Sequence, residues 1–443
     1  MLGRAGALDI LKAAIEAADA DMAQASIRIG EFGLTRFANS SIHQNVLEKN
    51  AELAVKVIAG KRIGYAATNR LDEKSICGIA KKAAEFARHS QENPDFTSLP
   101  HAKPIKDANT FDGHTAFYTP EERAEDVSGM VCEAERFGAK AAGAISTGYQ
   151  EFAIMNSLGV EAYNIRSQAN LSTVMTAESG FGYADRASIN VMDLNPVPAA
   201  AEAAARSCES RNPISVEPGE YDVILMPYAV AEFLDFLAYT GLGARSVQEG
   251  RSFMSGKFGQ QITGKNITIW DDGLNSAGLP IPFDSEGVPK QHVQMIVDGV
   301  AKGVVYDSYT AHKEGKESTG HAAPGGDEES AEPMPINMFM APGDATVPEM
   351  IAETKKGILV TRFHYTNVIH PILTIITGMT RDGTFLVEDG KVTKPVKNLR
   401  FTDSILERLN HVDMISREPK RQSICVVPAI RARRFRFTGT TEF

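Results

Sequence analysis

Apolar residues first recur at helical spacing near the N-terminus, where Leu8, Leu11, Ile15 and Ala18 predict a helix over 7–22. The pattern then changes to alternation, which predicts strands over Ser26 to Phe37 and Leu53 to Ile58, with the polar stretch RFANSSIHQN between them. Helical spacing returns over 72–88, over 119–137 and over 198–210. The second of these opens on Thr119 and Pro120, a cap followed by a first-turn proline. Between the last two helices, 144–176 alternates again around the turn NSLG at 156–159. The polar, proline-containing region 90–110 reads as a linker. From Gly219 onward strand signals and glycines dominate, and HKEGKESTGHAAPGGDEESAEPMPI, 312–336, reads as a long surface loop.

These elements predict an α+β fold. An N-terminal two-layer helix/sheet region holds two subdomains, 1–105 and 106–215, whose similar element order makes them candidates for related halves, and a β-rich C-terminal domain follows at 216–443.

Composition narrows the partners. The chain of 443 residues is 43% hydrophobic and 23% charged, as an ordinary packed protein is. Its formal charge of −10 disfavours a broad nucleic-acid footprint. No run approaches the roughly 18 apolar residues of a membrane span. Asp9, Glu16, Asp19 and Asp21 interrupt what would be the apolar core of a secretory signal, so a cytoplasmic location is expected. Cys77, Cys132, Cys208 and Cys425 are far apart and form no C-x-x-C pair, which points to reduced thiols. The arginines of RARRFRF, 431–437, alternate with Ala and Phe as in a half-exposed strand.

Candidate chemistry is sparse. None of the ten histidines is followed by Glu, and no H-E-x-x-H helix, G-x-S-x-G elbow, phosphate-binding loop or well-placed dinucleotide fingerprint occurs. In YDVILMPYAVAEFLDFLAYTGLGARS, 221–246, a strand leads into a helix whose stripe is Val230, Phe233, Leu234, Leu237 and Ala238. Glu232 and Asp235 fall at its edge, as solvated acids of an amphipathic helix would. His364 and His370, six apart on a strand, would share a face and could form a metal set with Cys425, or be hydrogen-bonded neighbours only. Asp284 and Glu286 are either paired carboxylates or turn residues. Arg36, Asn39 and His43 either grip a peptide backbone or flank a turn.

Four stretches, TRFANSSIHQ at 35–44, PFDSEGV at 282–288, SYTAHKEGKESTGHA at 308–322 and TGMTRDGTFLVEDGKV at 377–392, resemble the TldD/PmbA (TldE) family, in the expected order and across almost the whole chain. The resemblance implies two subunit types that pair into a zinc-dependent peptidase. TldD-type chains carry H-E-x-x-x-H on the helix after a strand like 221–226, together with a C-terminal cysteine ligand; TldE-type chains lack the motif. Aligned on GRSFMSGKFG at 250–259, the motif positions here hold Asp235, Phe236 and Thr240. Phe236 has no proton acceptor and Thr240 is a poor zinc ligand beside imidazole. Cys425, in QSICVVPAI, lacks the glycine-rich context the family's cysteine has.

The resemblance therefore implies a TldE-like subunit with no catalytic residue and no cofactor of its own. Zinc is expected in a TldD-like partner, or the chain forms a homodimer. Unfolded peptides are the expected substrate, without nucleic acid or membrane. Arg36, Asn39, His43, Asp284, Glu286, Thr319, Gly320 and His321 are the candidate substrate-binding residues, with His321 serving peptide binding, a subunit contact or an ordinary loop hydrogen bond. The alternatives are a self-sufficient homo-oligomeric metallopeptidase built on His364, His370 and Cys425, and a regulatory binding protein of the kind the family's older description as a modulator of DNA gyrase implies.

Overall fold

The computed structural model describes residues 1–323 and 332–441. The N-terminal part runs α1 (Gly3–Glu16), β1 (Met22–Ala38), β2 (Ser41–Ala59), β3 (Arg62–Thr68) and α2 (Glu73–His89). After the one-turn α3 (Gly113–Ala116), the order repeats as α4 (Pro120–Arg136), β4 (Lys140–Asn156), β5 (Glu161–Ala177), β6 (Gly180–Ser188) and α5 (Pro196–Glu209). The six strands form one antiparallel sheet in the order β3-β2-β1-β4-β5-β6, so the two sets of three meet at the β1–β4 pair. Residue 105 lies in the irregular stretch between α2 and α3.

One face of this sheet carries all four long helices. Ile27, Val55 and Ala153 bury against α1 and α2, while Ile145, Leu171 and Met175 bury against α4 and α5. Residues of the opposite parity, among them Arg28, Phe152 and Arg166, therefore point to the other face. Thr119 caps α4 reciprocally with Glu122, as the local signal predicts.

Two boundaries differ from the sequence reading. The first helix ends at Glu16 instead of continuing to 22, because Asp21 is already tied to the sheet: its N–H donates to Ile58 O and its carboxylate accepts from Gly60 N. The second strand begins at Ser41 rather than 53. Its first half is mostly exposed and lacks an apolar rhythm, and backbone pairing to β1 sets its conformation.

The C-terminal part adds β7 (Gly219–Leu225), α6 (Pro227–Gly241), β8 (Ile269–Asp272), β9 (His292–Val297), β10 (Val300–Ala301), β11 (Met338–Met340), β12 (Lys356–His370), β13 (Ile375–Glu388), β14 (Lys391–Pro395), β15 (Leu399–Ser404), β16 (Val412–Ile415), β17 (Lys420–Gln422), β18 (Cys425–Val427) and β19 (Ile430–Thr440). One sheet has the order β10-β9-β8-β11-β18-β17. The other runs β12-β7-β19-β15-β13-β14, and β12 also pairs with β13, so the path closes on itself and leaves few edges exposed. Its packed aromatics include Phe363, which lies 4.5 Å from Phe401 and 5.9 Å from Phe435 between ring centroids. The arginine-rich strand β19 pairs with β7 and β15 and is half-exposed as expected, since Arg434 and Arg436 are exposed between buried Phe435 and Phe437. Of its arginines only Arg431, near its start, is buried, and its guanidinium reaches Asp413 at 2.9 and 3.0 Å.

Candidate functional site

Helix α6 follows β7 directly, with Pro227 in its first turn. It is the predicted helix, but its setting differs. It lies between the two C-terminal sheets: Phe233 stacks on Phe363 at 5.6 Å, and Asp235 faces Cys425 of β18. Ala229, Ala231, Leu234, Leu237 and Thr240 are all buried, so apolar cover extends around most of its circumference. The expectation that Glu232 and Asp235 are solvated acids is corrected accordingly. Both are half-buried, and burial raises both carboxyl pKa values above their ordinary range.

The three residues that the resemblance aligns with the zinc motif, Asp235, Phe236 and Thr240, are each engaged within the chain. Cys425 Sγ donates to Asp235 Oδ1 at 3.3 Å. Burial, reinforced by the Asp235 charge, pushes the Cys425 thiol pKa up and keeps the thiol protonated, whereas a metal ligand must be thiolate. Phe236 packs against the core. The Thr240 hydroxyl donates to Phe236 O at 2.7 Å, a bond within its own helix. A carboxylate and a protonated thiol are two donors where zinc takes three or four. Among the described residues no group of three His, Cys, Asp or Glu side chains is placed to hold a metal ion. These residues do not fit zinc.

The alternative metal set is not assembled either. Even spacing is expected to put His364 and His370 on one face, and the two single-residue register shifts between them cancel in parity, since their β13 partners Met379 and Ile375 are four residues apart. The histidines share a face, but about 13 Å of strand lies between them, too far to share one ion. His364 is half-buried, and burial, with Arg381 and Arg362 nearby, lowers its pKa; such neighbours repel a cation. His370 Nδ1 accepts from Leu373 N at 3.3 Å, and Cys425 is turned to Asp235.

A second constellation lies around His321. The stretch 312–336 was expected to be a surface loop throughout. Its first two residues instead complete the helix Ser308–Lys313, and Ser318, Gly320 and His321 are buried; 324–331 lie outside the described residues. The buried backbone is satisfied there, since Thr319 N and His321 N both donate to Tyr306 O, at 3.1 and 3.3 Å, and Gln291 N donates to Thr319 O. Gly320 adopts φ +76°, and a Cβ at that position would lie 2.3 Å from Pro289 O.

His321 Nε2 is 2.9 Å from Asp271 Oδ1, and its Nδ1 is 2.9 Å from the Thr319 hydroxyl. Burial, with the nearby charge of Lys290, lowers the His321 pKa to about 4, so the ring is neutral at pH 7. Burial opposes ionisation of Asp271, but the His321 hydrogen bond, the charges of His321 and Lys290 and the Asn337 N–H outweigh it, and its pKa is lowered. Asp271 Oδ2 also accepts from Ile336 N and Asn337 N at 2.8 Å each.

Asp284 Oδ1 accepts from Glu286 N and Val288 N, both at 2.9 Å, and Oδ2 accepts from Ala322 N at 2.8 Å. This carboxylate shapes the 284–288 turn and ties it to the His321 segment. Glu286 Oε2 accepts from Ser308 N at 3.0 Å. Burial raises both carboxyl pKa values, and for Glu286 the neighbouring Asp284 and Asp307 charges add to it.

Asp284, Glu286, Thr319, Gly320 and His321 are therefore brought together. Arg36, Asn39 and His43 are not: all three are exposed at the tip of the β1–β2 hairpin, whose turn uses positive φ at Asn39 and Ser40, 49° and 60°. Sequence reading missed Asp271, Lys290, Arg28 and Arg166. A charged residue inside an apolar strand run, as in TIWDD, was the one available signal. Strands β8, β11 and β18 place Asp271, Met338 and Cys425 side by side, so the buried His321 network adjoins the Asp235–Cys425 pair. A cavity of ≈ 410 Å³ opens from this network, lined by Asp284, Lys290 and His321 on one side and by Arg28, Phe152 and Arg166 of the N-terminal sheet on the other.

Comparison with known proteins places this geometry in a lineage. Residues 218–439 match the PmbA/TldA metallopeptidase C-terminal domain, 115–211 the central domain and 24–87 domain 1 of the same family. A protein of Haemophilus influenzae named metalloprotease TldD homolog is 28% identical over 298 residues, covering 62% of this chain and 60% of its own length. The chain thus spans about three fifths of that relative. Metalloprotease PmbA of Escherichia coli is 24% identical over 388 residues, covering 84% of this chain and 82% of its own. The crystal structure of TldE from Thermococcus kodakarensis superposes with a TM-score of 0.87 at 20% identity, over 98% of this chain and 99% of that one, a likeness of fold. With family domains matched from residue 24 to 439, the chain belongs to the TldD/PmbA metallopeptidase family.

Proposed function

We propose that this chain is the zinc-free, TldE/PmbA-type subunit of a two-subunit peptidase that acts on unfolded peptides in the cytoplasm, with a TldD-type partner supplying the zinc and the base. One observation carries the reading. On α6 the positions that would activate water hold Phe236, with no proton acceptor, and Thr240, whose hydroxyl is engaged by its own helix. Metal-assisted peptide hydrolysis needs an ion with an open coordination position and a nearby base. The chain's own part is then architectural: it covers one side of a peptide path and presents sheet edges to which an extended substrate can add as a strand. The protein is expected to purify without stoichiometric zinc and to leave unfolded casein intact, and to support hydrolysis when mixed with a family member bearing H-E-x-x-x-H. Chelator-sensitive hydrolysis by this chain alone, after removal of any partner, would overturn the proposal.

A further inference from the structure

The cavity between the N-terminal sheet and the C-terminal domain is lined by two arginines that, among the described residues, form no salt bridge. Arg28 on β1 and Arg166 on β5 lie on the same sheet face, on either side of β4, where Arg28 is registered with Phe152 and Arg166 with Gln150. Both are half-buried, burial is the main influence depressing each pKa, and the charge of Arg28 depresses that of Arg166 further. A guanidinium stays charged regardless. Their contacts are neutral: Arg28 donates to Ser285 Oγ at 3.3 Å and lies 4.4 Å over the Phe152 ring, and Arg166 donates to Gln150 Oε1 at 3.0 Å. The carboxylate acting on Arg28 is exposed Glu52, from beyond ion-pair distance, and among the described residues neither arginine forms a salt bridge. Lys290, at the back of the cavity, already has Asp271 and Asp284 for its charge.

Two neighbouring desolvated guanidiniums in a cavity of ≈ 410 Å³ are stabilised by an anion between them. The remaining wall selects its body, since Phe152, Ile281 and Phe283 are apolar and Asn164 and Gln168 offer amide groups. We infer that this cavity binds a carboxylate carried on an apolar body, with Arg28 and Arg166 as the carboxylate clamp. The terminal carboxylate of a peptide ending in an apolar residue and a free apolar carboxylic acid share that chemistry. The inference does not depend on the subunit pairing proposed above, because the cavity lies within one chain.

Isothermal titration of the full chain tests it with three probes: N-acetyl-leucyl-phenylalanine as the free acid, the same dipeptide as its C-terminal amide, and 3-phenylpropionate. The free acid is expected to bind about tenfold or more tightly than the amide, and Arg28→Met and Arg166→Met are each expected to lose about tenfold or more, the scale of one charged hydrogen bond. Ile281→Trp, which leaves both arginines in place and fills the cavity, is expected to abolish binding, so a folding defect at an arginine does not decide the matter. Tighter binding of the dipeptide acid than of phenylpropionate identifies a peptide terminus; equal or weaker binding of the dipeptide identifies a small acid; either supports the clamp. Equal affinity for acid and amide, binding unaffected by Ile281→Trp, or no binding of any probe would overturn it.

Discussion

Acid should remove the stability held in the buried His321 ring, and the magnitude can be worked from its surroundings. The ring is buried, with a folded pKa of about 4 against an ordinary 6.5. The unfolded chain therefore binds the extra proton more readily, so the stability held in the neutral ring is complete above about pH 6.5 and is lost as pH falls toward 4. Each pKa unit corresponds to about 1.36 kcal/mol, so lowering pH from 7 to 5 removes about 2 kcal/mol. Asp284 and Glu286, whose pKa values are raised, act in the opposite sense, because acid relieves them.

The variant His321→Gln isolates the contribution, since Gln retains a donor toward Asp271 and does not titrate. The chain has a single tryptophan, Trp270, which is adjacent to Asp271 and stacks on Phe339 at 5.6 Å, so its fluorescence reports unfolding of this sheet. Urea titrations at pH 7, 6 and 5 should show the stability difference between wild type and His321→Gln shrinking by about 2 kcal/mol across the series. A difference constant to within about 0.5 kcal/mol would refute the assignment of a buried neutral imidazole.

Two further outcomes follow from local geometry. Gly320→Ala forces a side chain onto a positive-φ residue whose Cβ would meet Pro289 O at 2.3 Å, and it should cost about 1–3 kcal/mol, read as a lower midpoint in the same urea assay; an unchanged midpoint would contradict that backbone path. Native protein treated with a thiol reagent should be modified rapidly at exposed Cys132 and not at buried Cys425 until denaturant is added, as peptide mass mapping would show; fast native labelling of Cys425 would contradict its pairing with Asp235.

The legibility of this protein in its sequence divides along a physical line. Local rules recovered the helices of the first half, the Thr119 cap, the turn at 156–159 and the helix after β7, because capping, turn chemistry and periodicity act within a few residues. The helix that carries Asp235, Phe236 and Thr240 was itself legible from its periodicity. The same periodicity was silent on what would cover the polar edge of that helix. Cover came from β18, about 190 residues later, over Asp235, and from Thr366 of β12 beside Glu232, which turned both from solvated into half-buried acids.

The sequence alone thus determined much of which segments are helix and strand, and that the segment forming α6 contains no histidine. Tertiary structure decided which distant groups meet. His321 reaches Asp271 across 50 residues of chain, and Arg28 and Arg166 come together only through their registers on β4. It also kept apart groups that simple counting had joined, because about 13 Å of strand separates His364 from His370 on the face they share. Conformational preference is a short-range property written residue by residue, whereas burial and charge pairing arise only when sheets stack, and that depends on the whole chain at once.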